Sequence, residues 1–198
     1  MTQQFKDDGT VVPVTLIKAE PNVVTFVRDE SRDGYTAIQV GFEVSGTLNK
    51  PEAGHLKDLP QMETLKEFRV PAGEMKRGDE ITVKVFTPGE HVDVVGESKG
   101  RGYAGVLKRH HFHGKNATHG TKDQERMPGS IASQRQGKVI RGQRMAGRMG
   151  TDRVTVKNLE VVSIDTDKNI IALKGAVPGA RGGLVMIKTR TQNNVWQA

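Results

Sequence analysis

Apolar and polar residues alternate in two parts of the chain, before residue 98 and after residue 150, over short runs rich in β-branched side chains. Alternation with a period of two is typical of strands that bury one face. The runs are bounded by Gly, Pro, Asn or Asp and lie at 11–19, 22–29, 35–44, 81–86, 91–97, 153–165, 169–177 and 183–189. Many short strands joined by tight turns predict a mainly β protein that forms a barrel or a sandwich.

Turn-forming residues predict how several of these strands connect. Asp33-Gly34 lies between the second and third runs, and Pro88-Gly89 lies between the fourth and fifth. Such pairs are typical of hairpin turns. A further turn is predicted at 165–169, where the acidic residues lack the later Gly and Glu of a calcium-binding loop. The segment 46–72 has helical stretches broken by Pro60, and it predicts a small α-containing excursion from the β body.

Residues 98–150 follow neither of these patterns. Ten of these 53 residues are Gly, and no apolar period typical of a strand or a helix is sustained. Because such a segment buries little apolar surface, it does not offset its own ordering entropy. A loop of this length inside a β domain is typically disordered or functional. We therefore expect a long irregular extension that becomes ordered against a partner.

Positive charge indicates the class of that partner. The chain has a formal net charge of +7, yet residues 98–150 carry twelve Lys and Arg against only Asp123 and Glu125, a net of +10. The rest of the chain has 18 basic and 21 acidic residues and is slightly negative. One strongly cationic segment on a near-neutral body is more typical of polyanion binding than of a solvated face. RNA or DNA is the predicted ligand.

The remaining composition excludes several other classes. There is no Cys, which excludes disulfides, thiol nucleophiles and thiolate metal sites. The first residues, MTQQFKDDGT, lack the apolar core of a signal peptide, and no run of 18 apolar residues occurs. We therefore expect a soluble intracellular protein that does not associate with membranes.

Four of the six histidines lie in the stretch RHHFHGKNATHG, at 110, 111, 113 and 119. Zinc requires three or four suitably spaced ligands, and no HExxH-like spacing appears. Lys108, Arg109 and Lys115 would also repel a divalent cation. Metal binding is thus the weaker interpretation. Stacking on bases and donation to phosphate or 2′-hydroxyl groups is the stronger one.

The stretch GRGYAG at 100–105 matches the glycine pattern of dinucleotide-binding loops. That motif requires a preceding strand, a following helix and a parallel sheet, and the sequence that follows, VLKRHHFHGK, does not fit. A nucleotide-dependent enzyme is therefore only an alternative, and neither catalysis nor a cofactor is expected. The glycines instead allow close backbone approach while Lys99 and Arg101 contact phosphates. A nucleic-acid chaperone or architectural DNA binder is the other alternative.

The last part of the extension, RGQRMAGRMG, spaces its arginines and methionines by three and four residues. This spacing is compatible with a short amphipathic helix that turns Met145 and Met149 inward while the arginines reach outward to phosphates.

The residues predicted to contact RNA are cations, aromatic residues and histidines of the extension, which neutralise phosphates or stack on unpaired bases. They are Lys99, Arg101, Tyr103, Lys108, Arg109, His110, His111, Phe112, His113, Lys115, His119, Arg126, Arg135, Lys138, Arg141, Arg144 and Arg148.

Longer motifs connect the chain to a known family. The stretches VDVVGESKGRGYAGVLKRHHFHGKNATHG, RMPGSIAS and GKVIRGQRMAGRMGTDRVTVKNLEVVSIDTDKNIIALKGAVPGARGGLVMIK follow one another across 92–188. They closely resemble the bacterial form of large-subunit ribosomal protein three, whose pattern includes SKGKGF, THG, PGSIG and KGAVPG. FKDDGTVVPVTLIKAEPNVVTFV and KPEAGH resemble the first hairpin and the excursion of that family. The resemblance therefore covers nearly the whole chain.

This resemblance implies a β-barrel of the type found in translation factors, with a long extension threaded into ribosomal RNA. It implies a structural constituent of the large ribosomal subunit that binds 23S-type rRNA near its 3′ domain and supports early subunit assembly. The tip of the extension would approach the peptidyl transferase centre without supplying a catalytic group. Large-subunit proteins fourteen and nineteen would be its protein neighbours in the cytoplasmic ribosome.

The predicted domains are a β-barrel body at 1–97 and 151–190, a basic extension at 98–150 and a tail at 191–198. Three segments depart from the family pattern. Family members begin about ten residues before MTQQF, and the tail runs beyond their usual end. The tip PGSIASQRQGKV is one residue shorter than theirs, and in sequence Arg135 and Gln136 lie near the position of a glutamine that is methylated in some bacteria, so that Gln134 or Gln136 could correspond to it. Either residue is a candidate modification site.

Overall fold

The computed structural model describes residues 1–44, 46–70, 73, 75–131 and 137–189. Most of the regular structure within these residues consists of short strands. The strands are β1 (Thr2–Phe5), β2 (Val11–Lys18), β3 (Asn22–Arg28), β4 (Ala37–Val44), β5 (Met62–Phe68), β6 (Glu80–Ile81), β7 (His91–Glu97), β8 (Tyr103–Ala104), β9 (Gly147–Arg148), β10 (Arg153–Asp165), β11 (Ile170–Lys174) and β12 (Val185–Thr189). The helices are α1 (Glu30–Asp33), α2 (Lys50–His55) and α3 (Val106–His110), with 3₁₀ turns at Val83–Val85 and Lys122–Gln124.

The strands form two main sheets and one small ribbon. The first sheet has the order β1-β2-β11-β10-β7-β12, the second has the order β5-β4-β3-β6, and β8 pairs with β9. The predicted mainly β class is confirmed. Both main sheets are open, so their described strands do not close into a barrel.

Two compact units divide the chain. One consists of the described residues in 1–94, 156–177 and 186–198, and the other consists of the described residues in 95–155 and 178–185. The first unit contains the second sheet and most of the first sheet, and the second unit contains the β8-β9 ribbon. Among the described residues, none of the helices has the length and apolar character needed to cross a lipid bilayer.

The alternation at the start of the chain places one face of β2 in a core. Val12 and Val14 are buried and pack with Ala172 of β11, and Val162 covers this cluster. β2 pairs antiparallel with β11, with Leu16 opposite Ala172. Burial of these β-branched side chains favours the strand conformation at this position.

The predicted turns join strands in two of the three cases. Gly34 adopts a left-handed conformation with φ of 77° and ends α1, which connects the antiparallel pair β3 and β4. At 165–169, the Asp165 carboxylate accepts hydrogen bonds from the backbone amides of Asp167 and Lys168, at 3.1 and 3.0 Å. This turn joins β10 and β11. Gly89 also has a positive φ, but the segments on its two sides belong to different sheets.

The strand predicted at 81–86 is wrong apart from its first residue. Only Glu80–Ile81 pairs as a strand, with β3, and Val83–Val85 forms a 3₁₀ turn. Val83 is 3% exposed, so the turn still buries an apolar side chain. A β-branched side chain is therefore buried here without a strand, because β propensity depends on the available packing partners.

The predicted excursion at 46–72 is only partly helical. α2 begins after Asn49, whose backbone amide donates to the Glu52 carboxylate at 3.1 Å, and it carries Pro51 in its first turn. These are typical features of a helix start. The next predicted helical stretch is instead strand β5, which pairs antiparallel with β4. Short apolar runs fit the period of a helix as well as that of a strand. Here, pairing with the neighbouring strand β4 favours the strand.

The strand β1 was missed by the sequence analysis. Thr2–Phe5 pairs antiparallel with Val11–Val14, and Lys6 and Thr10 close the hairpin with a backbone hydrogen bond of 3.0 Å. Its residues are polar apart from Phe5, so alternation gave no signal.

An ion-pair network neutralises the arginine at the end of β3. The Arg28 guanidinium donates to Asp33 at 2.7 Å and lies 3.3 Å from Glu67, and it also lies over the Phe26 ring at 4.8 Å. The Tyr35 hydroxyl donates to Glu67 at 2.9 Å. The Arg28 hydrogen bond holds the pKa of the Asp33 carboxyl below its ordinary value. The charge of Arg28 is therefore matched by carboxylates within the same unit.

Gly41 lies where β4 passes beneath the side chains of its neighbours. A Cβ there would lie 2.6 Å from Met62 Cγ and 3.0 Å from Thr25 Cγ2. Met62 and Thr25 are themselves buried, at 4% and 1% exposure. Gly54 in α2 has open space around the same position.

We expect Gly41→Ala to lower the free energy of unfolding by about 1–3 kcal/mol, because overpacking displaces buried side chains. Gly54→Ala is the matched control, and we expect it to raise that free energy by about 0.5–1 kcal/mol, because Ala restricts the unfolded chain more than Gly does. Urea unfolding followed by circular dichroism measures both. Equal effects of the two variants would show that the space around residue 41 is not as described.

Candidate nucleic-acid interface

Backbone hydrogen bonds join residues 98–102 to residues 149–152, where the extension starts and ends, and we call these residues the neck. The Ser98 amide donates to Asp152 O at 2.9 Å, and the Thr151 amide donates to Ser98 O at 3.1 Å. The Arg101 amide donates to Met149 O at 2.9 Å, and the Met149 amide returns to Gly102 O at 3.0 Å. These four bonds hold the first and last residues of the extension side by side. We call the chain segments that lead away from the neck the two arms of the extension.

Gly150 permits the closest approach within the neck. Its φ is 82°, and a Cβ at this position would collide with the backbone of Lys99 and lie 2.9 Å from Gly100 Cα. It would also lie 3.0 Å from the Arg101 amide nitrogen. Both the left-handed conformation and the contact with backbone atoms therefore require glycine.

Beyond the neck, β8 and β9 continue the two arms as a short ribbon. Tyr103 lies opposite Arg148, and Ala104 lies opposite Gly147. Because neighbouring residues on a strand face opposite sides, the pair 104/147 forms one face and the pair 103/148 forms the other. Ala104 is 4% exposed, whereas Tyr103 is 81% exposed, so only one face of the ribbon is covered.

The helix α3 supplies the side chains that fasten one arm to the other. The Arg109 guanidinium donates to Met145 O at 2.9 Å, and the His110 ring donates to the same carbonyl at 3.1 Å. Arg109 also fills the space beside Gly147, where a Cβ would lie 2.7 Å from its Nη1. His111 then ends the helix in a left-handed conformation with φ of 60°. Arg109 and His110, which are both predicted to contact RNA, therefore bond within the protein.

A compact loop follows at 114–125. The Lys115 amide donates to Glu125 O at 2.9 Å, and the Lys115 ammonium donates to the Gln124 side chain. The Thr121 hydroxyl donates to Thr118 O at 3.0 Å. His119 lies in this loop with a positive φ of 60°. These bonds fold the segment on itself although it has almost no buried surface.

Most of the predicted contact residues are exposed. These are Lys99, Arg101, Tyr103, Lys108, His111, His113, Lys115, His119, Arg126, Lys138, Arg141, Arg144 and Arg148. Arg109, His110 and Phe112 are half-buried, and the His110 and Phe112 rings lie 6.1 Å apart. Arg135 and the two candidate modification sites, Gln134 and Gln136, lie outside the described residues.

The described cations of the extension form no ion pairs with described carboxylates. Among the residues that the structure describes, no Lys or Arg in 98–150 lies within 4.0 Å of a carboxylate oxygen. This contrasts with Arg28, whose charge Asp33 and Glu67 match. Exposed cations without partners create a positive potential that an external polyanion can neutralise.

The predicted amphipathic helix near the end of the extension is wrong in its backbone. Residues 141–149 contain a turn and the strand β9 and no helix. The predicted burial of the side chains nevertheless agrees with the structure. Met145 and Met149 are half-buried, while Arg141, Arg144 and Arg148 are exposed. Glycines at 142 and 147 disfavour a helix and permit the tighter path.

The histidine stretch shows no metal geometry. Among the residues described, no group of three or more His, Asp or Glu side chains is placed to hold a metal ion. His110 is committed to a carbonyl, and His111 and His113 are exposed.

Two parts of this interface were not found by sequence reasoning. The Met145 carbonyl accepts two side-chain bonds, and backbone carbonyls carry no sequence signal. Ser98 and Asp152 bond across 54 positions, where the Ser98 hydroxyl also accepts from the Asp152 amide at 3.1 Å. The glycine at 150 was the only local hint, and its partner lies about fifty residues earlier.

The chain matches known proteins over nearly its whole length. The family model described as ribosomal protein L3 matches residues 63–170. The large ribosomal subunit protein uL3 of Acidothermus cellulolyticus is 49% identical over 195 residues, which cover 96% of this chain and 88% of that protein. The protein of the same name from Herpetosiphon aurantiacus is 50% identical over 94% of this chain and 91% of its own length. That from Saccharophagus degradans is 46% identical over 98% and 94%.

We expect Gly150→Ala to open the neck, because its Cβ collides with backbone atoms that cannot move aside without breaking hydrogen bonds. Amide hydrogen exchange should show loss of protection at Arg101, Met149 and Thr151. Gly142→Ala is the control, since Gly142 has the same φ of 82° but open space around its Cβ. It carries only the roughly 1–2 kcal/mol cost of the left-handed conformation. Unchanged protection in Gly150→Ala would contradict this description of the neck.

Proposed function

The chain belongs to the ribosomal protein L3 family, and we propose that its extension anchors it to 23S-type rRNA near the 3′ domain. It is a structural constituent of the large ribosomal subunit in the cytoplasm and not an enzyme. The site of attachment on the RNA and the contacts made by each residue are the content of the proposal.

One observation carries the proposal most directly. The exposed cations of the extension lack carboxylate partners within the described chain. Each cation that reaches a phosphate releases condensed counterions, which is the main source of affinity for nucleic acid. Phosphate contacts fix position, and the exposed aromatic and histidine rings supply contacts to unpaired bases.

The neck supports specificity over general polyanion affinity. It fixes the spacing between Lys99 and Arg101 on one arm and Arg148 on the other. A rigid spacing of charges fits one RNA surface better than others, whereas a flexible cationic chain adapts to any. In this proposal the body at 1–97 and 151–190 sets the register, and 98–150 follows the RNA grooves.

The finer assignments follow the same reasoning and are part of the proposal. The chain joins the subunit early in assembly, because its extension must be in place before the surrounding RNA closes. The tip of the extension, whose residues 132–136 lie outside the described chain, approaches the peptidyl transferase centre. Large-subunit proteins fourteen and nineteen are the proposed neighbours.

We expect the full chain to bind a transcript of the 3′ domain of bacterial large-subunit rRNA in the presence of excess tRNA. With about six phosphate contacts, log K should fall by about 4 per tenfold rise in salt, at roughly 0.7 per contact. The triple variant Lys138→Gln, Arg141→Gln, Arg144→Gln should reduce this slope by about 2 and weaken binding at every salt concentration.

The control variant removes the same charge from exposed lysines of the first unit, as Lys57→Gln, Lys66→Gln, Lys84→Gln. Its slope should stay near that of the natural chain. If both triple variants lose affinity equally, or if tRNA competes as well as the transcript, binding is general to polyanions. That result would favour the nucleic-acid chaperone alternative and reject site-specific anchoring.

A further inference from the structure

The exposed face of the β8-β9 ribbon combines an aromatic ring with a guanidinium at one level. Tyr103 and Arg148 are directly opposite each other in the antiparallel register. Side chains in such positions have Cβ atoms about 4.5–5.5 Å apart and project to the same side. A phenol ring and a planar guanidinium are therefore presented side by side.

Both groups are free of other described contacts. Tyr103 is 81% exposed, and Arg148 is exposed. Within the part of the chain that the structure describes, neither side chain forms a hydrogen bond, an ion pair or a ring contact, and the guanidinium does not lie over the phenol ring. A large aromatic side chain that covers no core surface contributes nothing to folding through burial.

Contacts on the opposite face of the ribbon and at the neck restrain its backbone. Ala104 is buried, and the Arg109 guanidinium fills the space beside Gly147 while it bonds to Met145 O. The neck bonds between Arg101, Gly102 and Met149 adjoin the ribbon at its base. The backbone that carries Tyr103 and Arg148 is thus held by contacts on the covered face of the ribbon and by the hydrogen bonds of the neck.

Resting on the proposed function, we propose that Tyr103 and Arg148 form a platform on which one unpaired RNA base stacks. Every base has a π face that an aromatic ring or a guanidinium plane can cover. Lys99 and Arg101 lie on the same arm as Tyr103 and supply positive charge for the phosphates that flank that nucleotide. The ligand class is therefore a single unstacked nucleotide in a loop or bulge, and not a duplex groove.

Stacking and charge neutralisation respond differently to salt, and this difference supplies the test. The 3′-domain transcript is titrated with the full chain over a salt series. Tyr103→Ala should weaken binding about tenfold with an unchanged salt slope, since base stacking on an aromatic ring contributes roughly that much. Tyr103→Phe, which keeps the ring, should bind like the natural chain. Arg148→Lys, which keeps the charge but loses the plane, should weaken binding several-fold at an unchanged slope.

Two controls separate stacking from general effects. Phe5→Ala removes an exposed aromatic ring outside the extension, and Arg153→Lys alters an exposed arginine that does not belong to the platform. Neither should change affinity. Thermal unfolding of each variant confirms that the fold is intact, which is expected because the substituted side chains are exposed.

The outcomes distinguish the platform from the function on which it rests. If Tyr103→Ala binds like the natural chain while the Lys138, Arg141 and Arg144 triple variant loses affinity, the platform is rejected and RNA anchoring stands. If Tyr103→Ala lowers the salt slope, its effect is electrostatic and the platform is likewise rejected. Failure of the natural chain to resist tRNA would reject the proposed function and the platform together.

Discussion

The extension depends on a small set of backbone hydrogen bonds that hold like-charged arms together. Residues 98–150 carry a net charge of +10, so chain entropy and electrostatic repulsion both favour separation of their ends. Four backbone bonds at the neck, the ribbon pair and the Arg109 contact with Met145 O oppose this. Because backbone bonds are not screened by salt, the arms stay joined under conditions that weaken every charge contact.

Cationic side chains are paired differently in the first unit and in the extension. In the first unit, Arg28 is neutralised by Asp33 and Glu67 and lies over an aromatic ring. In the extension, the described cations other than the half-buried Arg109 are exposed, and none of them has a carboxylate partner among the described residues. Arg109 is instructive because it is cationic yet bonds a carbonyl of its own chain. Charge count alone therefore overstates the number of cationic side chains that are exposed and free of bonds within the protein.

The sequence predicted features that depend on local pattern. Alternation of apolar and polar residues predicted β2 and β11 correctly, because apolar side chains such as Val12, Val14 and Ile171 are buried on one face of the sheet. It failed at Val83, where a turn buried the same type of side chain, and at β5, where Met62 and Leu65 fit either a helix or a strand. It also failed for β1, which has almost no apolar residues and exists through its pairing with β2. Each failure reflects a partner distant in sequence or a packing choice that local pattern leaves open.

In the candidate interface too, the sequence predicts local features but not those that depend on partners distant in sequence. Composition and charge predict 98–150 as the segment that binds a polyanion, and most of the predicted side chains are exposed in the structure. What composition could not give is which side chains face outward together, because this follows from register across the ribbon. A shift of one residue in that register would turn Tyr103 toward Arg109 and place Ala104 on the open face. Gly150, which admits the backbone of Lys99 and Gly100, and Gly147, which admits the Arg109 guanidinium, therefore help to determine which side chains the ribbon exposes together.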